Sequence, residues 1–161
     1  MSEIIEIGVC PVDAESLTRM EKRSILIKPV RSRICGFRTT LTTLTTELLT
    51  DAGTFAQACK TLKSEYHARS RLWASWGDYD RRQFEGVGKE LGVGYPFGTS
   101  HLNVKSLFAT ALGSTREMGV AGAFERLGLT MEGTHHRGDD DAWNIAEILC
   151  RLLRLMREGL M

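Results

Sequence analysis

The sequence has almost no net charge, no CxxC pair and no long apolar run. Each absence excludes something. A formal net charge of +1 over 161 residues leaves no global field to draw in nucleic acid, so any polyanion must be held by a local patch or by bound metal ions. The four cysteines are Cys10, Cys35, Cys59 and Cys150, and none stands at zinc-finger distance from a histidine. They read as reduced thiols in or near the core of a cytoplasmic protein, not as a disulfide framework. No stretch is long and apolar enough to span a bilayer, and the first residues do not have the pattern of a secretory signal. Repeats, low-complexity tracts and linkers are also missing. What remains is 42% apolar and 25% charged, an ordinary globular mixture in a length that suits one domain over 1–161 with its own core.

Periodicity supplies a coarse map. "EIIEIGVCPV" (Glu3 to Val12) and "RSILIKPV" (Arg23 to Val30) are rich in β-branched residues and read as an antiparallel strand pair. The threonine-dense stretch that follows reads as loops with one short helix near Thr45 to Leu49. Thr54 is a plausible N-cap, with Phe55, Ala58, Cys59 and Leu62 on one helical face. "RLWASW" (Arg71 to Trp76) reads as a buried strand, followed by a helix lined by Phe84, Val87 and Leu91. "HLNVKSLFATAL" starts extended and turns helical, and "MGVAGAFERLGL" is a short helix with Gly128 as its C-cap. A last helix begins near Asp140, with Trp143, Ala146, Leu149, Leu153 and Met156 on its apolar stripe. The three tryptophans, 73, 76 and 143, are expected to pack the core. The order of elements implies an α/β domain with a mixed sheet.

The chemistry concentrates in "GTHHRGDDDAWNIAEIL", Gly133 to Leu149. One aspartate at a helix start is a cap; three in a row exceed what capping needs. Carboxylates forced together are destabilised unless a cation compensates them. An exposed, solvated acidic turn is the competing reading of this segment alone. The apolar helix behind it would pin the mouth in place, which suits a metal ligand. A second acidic element, "SWGDYD", places Asp78 and Asp80 at a strand end, where ligands of open α/β sheets bind. Capping of the next helix by Asp80 is the plainer alternative. Hard cations such as Mg²⁺ use a few carboxylates plus water and phosphate oxygens, and a neutral histidine beside one can take a proton from water.

These residues resemble the DEDDh 3′-to-5′ exonucleases. "HRGDDDAWNIA" is similar to their last signature, a histidine followed five positions on by an aspartate, and "WGDYDRRQF" to their second. The likeness is greatest to the branch that trims histone mRNA and small RNAs, and "TTLTTLTTELL…TFAQA" resembles its loop and helix between the first two signatures. The resemblance implies an RNase H-like fold, a mixed sheet flanked by helices. It implies two-metal hydrolysis with Mg²⁺ or Mn²⁺ at the 3′ ends of single-stranded nucleic acid, RNA or DNA. It makes His136 the general base and Asp80 and Asp141 metal ligands; His135 with Asp140 is the competing register, and Asp78 the less favoured neighbour of Asp80. Leu41 and Thr42 align with the loop that flanks the 3′-terminal nucleotide, and Arg38 and Lys105 are candidates for phosphate contact.

The family's first signature is an Asp-x-Glu on its first, central strand. "SEIIEIGVCPV" matches the second strand instead, with Glu3 and Glu6 as the only nearby acids. The expectation is a first strand that is absent, a slot to be filled by another segment or subunit, and little or no nuclease activity from residues 1–161 alone. An internal Met1 with a start further upstream is the simplest source of such a chain. A short form that binds nucleic acid or protein without cutting is the alternative.

Overall fold

The computed structural model describes residues 3–30, 44–134 and 136–161. Strand β1 (Glu6–Val9) pairs antiparallel with β4 (Arg23–Leu26), Glu6 opposite Leu26 and Val9 opposite Arg23. Between them, β2 (Val12–Asp13) and β3 (Thr18–Arg19) form a second small antiparallel ladder. Its turn is built by Asp13, whose carboxylate accepts from the amides of Glu15 and Ser16, both at 2.8 Å. Side-chain alternation along β1 sets up the layers. Ile7 points into a core with Ile27, Phe55, Leu62 and Phe84, while Glu6 and Gly8 point the other way, onto the last helix.

The short helix α1 (Thr46–Thr50) is capped by Thr45, and α2 (Phe55–Ser64) by a reciprocal Thr54–Gln57 capping box. Phe55, Ala58, Cys59 and Leu62 are its buried face, as the period predicts. β5 (Trp73–Ser75) pairs parallel with β6 (His101–Asn103). Helix α3 (Tyr79–Leu91) lies between them in sequence and ends at Gly92. α4 (Val104–Ala111) and α5 (Val120–Arg126) follow, and Gly128 (φ +66°) lies one residue past the C-cap Leu127. The last helix, α6 (Gly138–Leu160), runs 23 residues, about 34 Å at 1.5 Å per residue. Val104, Phe108, Phe124, Ile148 and Leu152 form a second core beneath it.

The mixed α/β architecture is as expected, built among the described residues from three two-stranded ladders, with no ladder joining β1 to β5. Two other expectations change. The last helix starts at Gly138, two residues before Asp140; Ala146 of its expected stripe is buried, together with Asn144, Ile148 and Leu152, whereas Trp143, Leu153 and Met156 are not. The stripe rotates because the helix packs on β1 as well as on α4 and α5. Trp143 consequently leaves the core. Its ring lies 4.0 Å beneath the Arg19 guanidinium, and its indole N–H donates to Glu132 (3.0 Å). Trp73 and Trp76 are half-buried, the former stacked 4.1 Å from Phe97, the latter packed on Phe108. Cys59 and Cys150 are buried free thiols and Cys10 is half-buried; Cys35 lies outside the described residues. No described helix is long and apolar enough to cross a membrane.

Candidate active site

The first part of the site is the junction after β5. The Ser75 hydroxyl donates to the Gly77 carbonyl (2.8 Å) and lies 2.8 Å from His101 Nε2 on the neighbouring strand. Gly77 takes φ +92°, a conformation glycine adopts without strain, and the turn places Asp78 at the N-cap and Asp80 in the first turn of α3. Asp78 makes no side-chain capping bond. Its carboxylate stands 3.6 Å from Arg81 and 3.8 Å from His101 Nδ1, ion-pair distances too long for hydrogen bonds. The His101 ring leans on Trp73 (4.2 Å between centroids). Burial, then the Arg81 charge, lower its pKa against a smaller opposing pull from Asp78.

The second part is the loop that leads into α6. Asn144, 1% exposed, ties the loop's start to the helix: it accepts from the Glu132 amide (3.0 Å) and donates to the Glu132 carbonyl (2.8 Å). Asp140 accepts from the Thr134 amide (2.8 Å) and pairs with Lys22. Burial alone would raise the Asp140 pKa, but the Lys22 hydrogen bond and the Thr134 amide outweigh it and hold the carboxyl below its usual value. At the helix mouth, the Glu6 carboxylate accepts from the Gly138 amide (3.0 Å), the Arg137 guanidinium (3.1 Å) and the Ser24 hydroxyl (2.7 Å). Gly8 allows this contact, since a Cβ there would run into the Gly138 carbonyl. His136 sits on the surface at φ +73°, and its amide donates to Asp141 Oδ1 (3.3 Å).

Asp80, His136 and Asp141 line one cleft of about 770 Å³. Asp80 opens onto that cleft, yet protein crowds it: burial raises its pKa, and the Asp141 charge adds to the rise. Two carboxylates therefore share one space, and among the described residues no cation pairs with Asp80. Such a pair fits part of the shell of a hard divalent ion, which takes its other ligands from water and phosphate. It falls short of a two-ion site, because no group of three or more His, Cys, Asp or Glu side chains converges among the described residues.

The other candidates are placed elsewhere or not at all. Asp140 faces Lys22 and Thr134, and Asp78 faces Arg81 and His101. Lys105 lies beside Gly77 and pairs with Glu117 (3.4 Å), away from the cleft lining. Arg38, Leu41, Thr42 and His135 lie outside the described residues. An Asp-x-Glu does occur at Asp13 and Glu15, but it belongs to the exposed β2–β3 turn that receives Arg157, near the far end of α6. Two supporting features escaped the sequence reading, Glu6 at the helix mouth and the Ser75–His101 contact. A glutamate two residues before a glycine in an apolar strand was the available signal for the first; the second depends on strand pairing and left none.

No family model and no curated protein matches the sequence. Solved structures do match. The nuclease domain of 3′hExo, a DEDDh family member, bound to rAMP, superposes with a TM-score of 0.85 at 22% identity, over 98% of this chain and 82% of that one. A full-length 3′-exonuclease superposes with a TM-score of 0.82 at 23% identity, over 98% of this chain and 54% of that one. A 3′-exonuclease described for 3′-end specific recognition of histone mRNA stem-loop gives 0.83 at 23% identity, over 94% and 56%. The chain thus has the RNase H-like fold of these structures and spans little more than half the length of the last two.

Proposed function

We propose that residues 1–161 form an exonuclease domain of the DEDDh type that acts on the 3′ ends of single-stranded nucleic acid. The observation that carries this reading is that Asp80, Asp141 and His136 all line one cleft. The separate signatures "GDYD" and "HRGDDDAWNIA" supply these three residues, and the fold agrees with the same family. In this reading Asp80 and Asp141 hold a divalent ion, Mg²⁺ or Mn²⁺. Its chemistry, when bound, is to acidify water and neutralise charge on the phosphate. His136 takes the proton from the attacking water. Its exposed position at the cleft mouth leaves room for water and a phosphodiester. Arg38, Leu41 and Thr42 rest on the resemblance alone as substrate contacts, and Lys105 would reach phosphate only by leaving Glu117. The histone mRNA stem-loop named for one similar structure and the rAMP bound in another favour RNA as substrate.

A second reading has its own support. With two carboxylates on the cleft and no larger metal-ligand cluster among the described residues, the domain would hold metal weakly and serve as a binding module for nucleic acid or protein. Incubating the purified chain with end-labelled single-stranded RNA and Mn²⁺ separates the two. EDTA-sensitive loss of 3′ nucleotides that disappears in Asp141→Asn and His136→Ala supports the exonuclease. Retention of RNA binding without shortening, unchanged in those variants, supports the module. Neither binding nor cleavage would sink both.

A further inference from the structure

His101 stands outside the cleft lining, yet its side chain is only 6% exposed. Strand alternation explains where it goes. β5 and β6 pair in parallel with Trp73 beside His101 and Ser75 beside Asn103, so these four side chains share one face of the ladder. The imidazole leans on the Trp73 ring, 4.2 Å between centroids, and reaches diagonally to Ser75, where Nε2 lies 2.8 Å from Oγ. Ser75 is buried as well, so water does not compete for this contact.

The protons in it can be placed. A carbonyl only accepts, and the Gly77 carbonyl stands 2.8 Å from the Ser75 hydroxyl, so the one hydroxyl proton lies between those two oxygens. Nε2 must then supply the proton between Ser75 and His101. When neutral, His101 is therefore the Nε2–H tautomer, with its lone pair on Nδ1. Asp78 pulls the other way, since its carboxylate favours a proton on Nδ1. At 3.8 Å it is beyond hydrogen-bond reach, and it lies closer to Arg81, at 3.6 Å. Two bonds at 2.8 Å outweigh that longer attraction.

Ser75 in turn holds Gly77 twice. Its carbonyl accepts from the Gly77 amide (3.2 Å), and its hydroxyl donates to the Gly77 carbonyl. Gly77, at φ +92°, is the bend between β5 and α3. The N-cap Asp78 adds no side-chain capping bond, so the start of α3 leans on that bend, and Asp80 follows in its first turn.

We propose that His101 is a positioning residue for Asp80: its Nε2–H keeps the Ser75 hydroxyl on the Gly77 carbonyl and so fixes the turn that aims Asp80 at the cleft. Without that donor, Ser75 keeps an unmet lone pair in a dry place, and its side chain is free to rotate off Gly77. The consequence for metal binding rests on the exonuclease reading; the bond pattern and its hold on the turn do not.

Heteronuclear NMR of the full chain reads both parts. Long-range nitrogen–proton couplings, recorded at a pH where the imidazole is neutral, should show Nε2 protonated and Nδ1 bare. His101→Phe keeps a ring against Trp73 but has no donor, and Ser75→Ala removes the acceptor. Both should shift the amide signals of residues 77–81 in the same direction. The double variant should match Ser75→Ala alone, because His101 acts through that hydroxyl. His101→Gln, whose amide donates from a similar place, should restore the parent signals. The Mn²⁺ concentration that half-broadens the Asp80 signal should rise about tenfold in His101→Phe and Ser75→Ala and return in His101→Gln. A neutral ring protonated on Nδ1 would overturn the proposal. So would unmoved 77–81 amides in His101→Phe, or a double variant whose shift is the sum of the two. The tautomer is read from the parent chain, so a variant that fails to fold leaves that test intact. An Nε2–H tautomer and coupled shifts with no response to Mn²⁺ in the parent would support the hold on the turn and sink the exonuclease reading instead.

Discussion

The Gly138 amide donates to the Glu6 carboxylate across 3.0 Å, joining the first turn of the last helix to the first strand. Glu6 is thereby committed. Its oxygens serve the helix terminus, Arg137 and Ser24, so it is no stand-in for a missing metal ligand although it lines the cleft. Replacing Glu6 with alanine removes the acceptor of the Gly138 amide and of the Ser24 hydroxyl and one partner of Arg137, at a half-buried position. The expected loss is about 1–3 kcal/mol, with Glu6→Gln costing less because one acceptor survives. Chemical denaturation of both variants measures the difference; equal losses would mean that the charge contributes nothing.

Gly8→Ala should also be damaging, for a steric reason. The added methyl meets the Gly138 backbone carbonyl, which cannot swing away as a side chain could. Overpacking of this kind costs about 1–3 kcal/mol, and at this size each kcal/mol lowers Tm by about 2–4 °C. A melt within a degree of the parent would show that α6 does not rest on β1 as described.

Asp80 predicts an unusual sign. Burial, with Asp141 beside it, raises its pKa in the folded state. A carboxyl whose folded value exceeds its unfolded value of about 3.9 destabilises the fold when ionised. Folded-state stability is therefore recovered as pH falls through the raised value. Asp80 is an exposed residue, so solvent screening keeps the effect small, and Asp80→Asn should raise the Tm of the metal-free chain slightly at neutral pH and abolish any further rise on adding Mn²⁺. A lower Tm in the variant, measured in EDTA, would contradict the electrostatic account.

Asp140 and Lys22 predict the opposite at acid pH. Asp140 is held below its usual value and Lys22 is held above its own, each chiefly stabilised by the other. The Asp140 contribution is complete above the unfolded value of about 3.9 and disappears as pH drops through the depressed one. The Lys22 contribution is complete below about 10.4 and disappears as pH climbs through the raised one. Thermal melts from acid to alkaline pH should show both edges soften in Lys22→Met. An unchanged acid limb in that variant would remove the pair from the stability of the 133–140 loop.

His136 separates conformation from chemistry. A β-carbon at φ +73° is strained, and glycine relieves that strain. His136→Gly should keep or slightly raise Tm and, on the proposed exonuclease reading, eliminate metal-dependent hydrolysis, whereas His136→Ala keeps the strain and loses the same activity. A glycine variant that still shortens RNA would take the proton-transfer role away from the imidazole.

Much of this was legible in residue order, and the reasons differ by element. Helix α2 could be read from Thr54 and Gln57 because capping is local and its apolar face has one neighbour. Asp80 and Asp141 could be singled out because carboxylates crowded at helix starts demand compensation. The stripe of α6 misled because that helix packs on a strand as well as on two helices, so Asn144 is buried by a bond to a backbone twelve residues away while Trp143 is drawn to Arg19. The part played by Glu6 was hidden because its partners lie more than a hundred residues on. The division into separate ladders depends on which strand edges meet, and periodicity says nothing of edges.

Helix α6 bears on both halves of the molecule. Its first turn is tied to β1 through Glu6, its middle is set among Phe108 and Phe124 through Ile148 and Leu152, and its last turns take up the β2–β3 turn through Arg154 and Arg157. In mechanical terms it is a beam across a gap that no ladder bridges among the described residues. Any rotation of the β5–β6 half relative to the β1–β4 half must bend or roll that beam. The beam's end carries Asp141, so the separation of Asp141 from Asp80 is a strain gauge for the whole chain. Anything that stiffens the span between the two ladders would fix that distance, and anything that loosens it would let the two carboxylates drift apart.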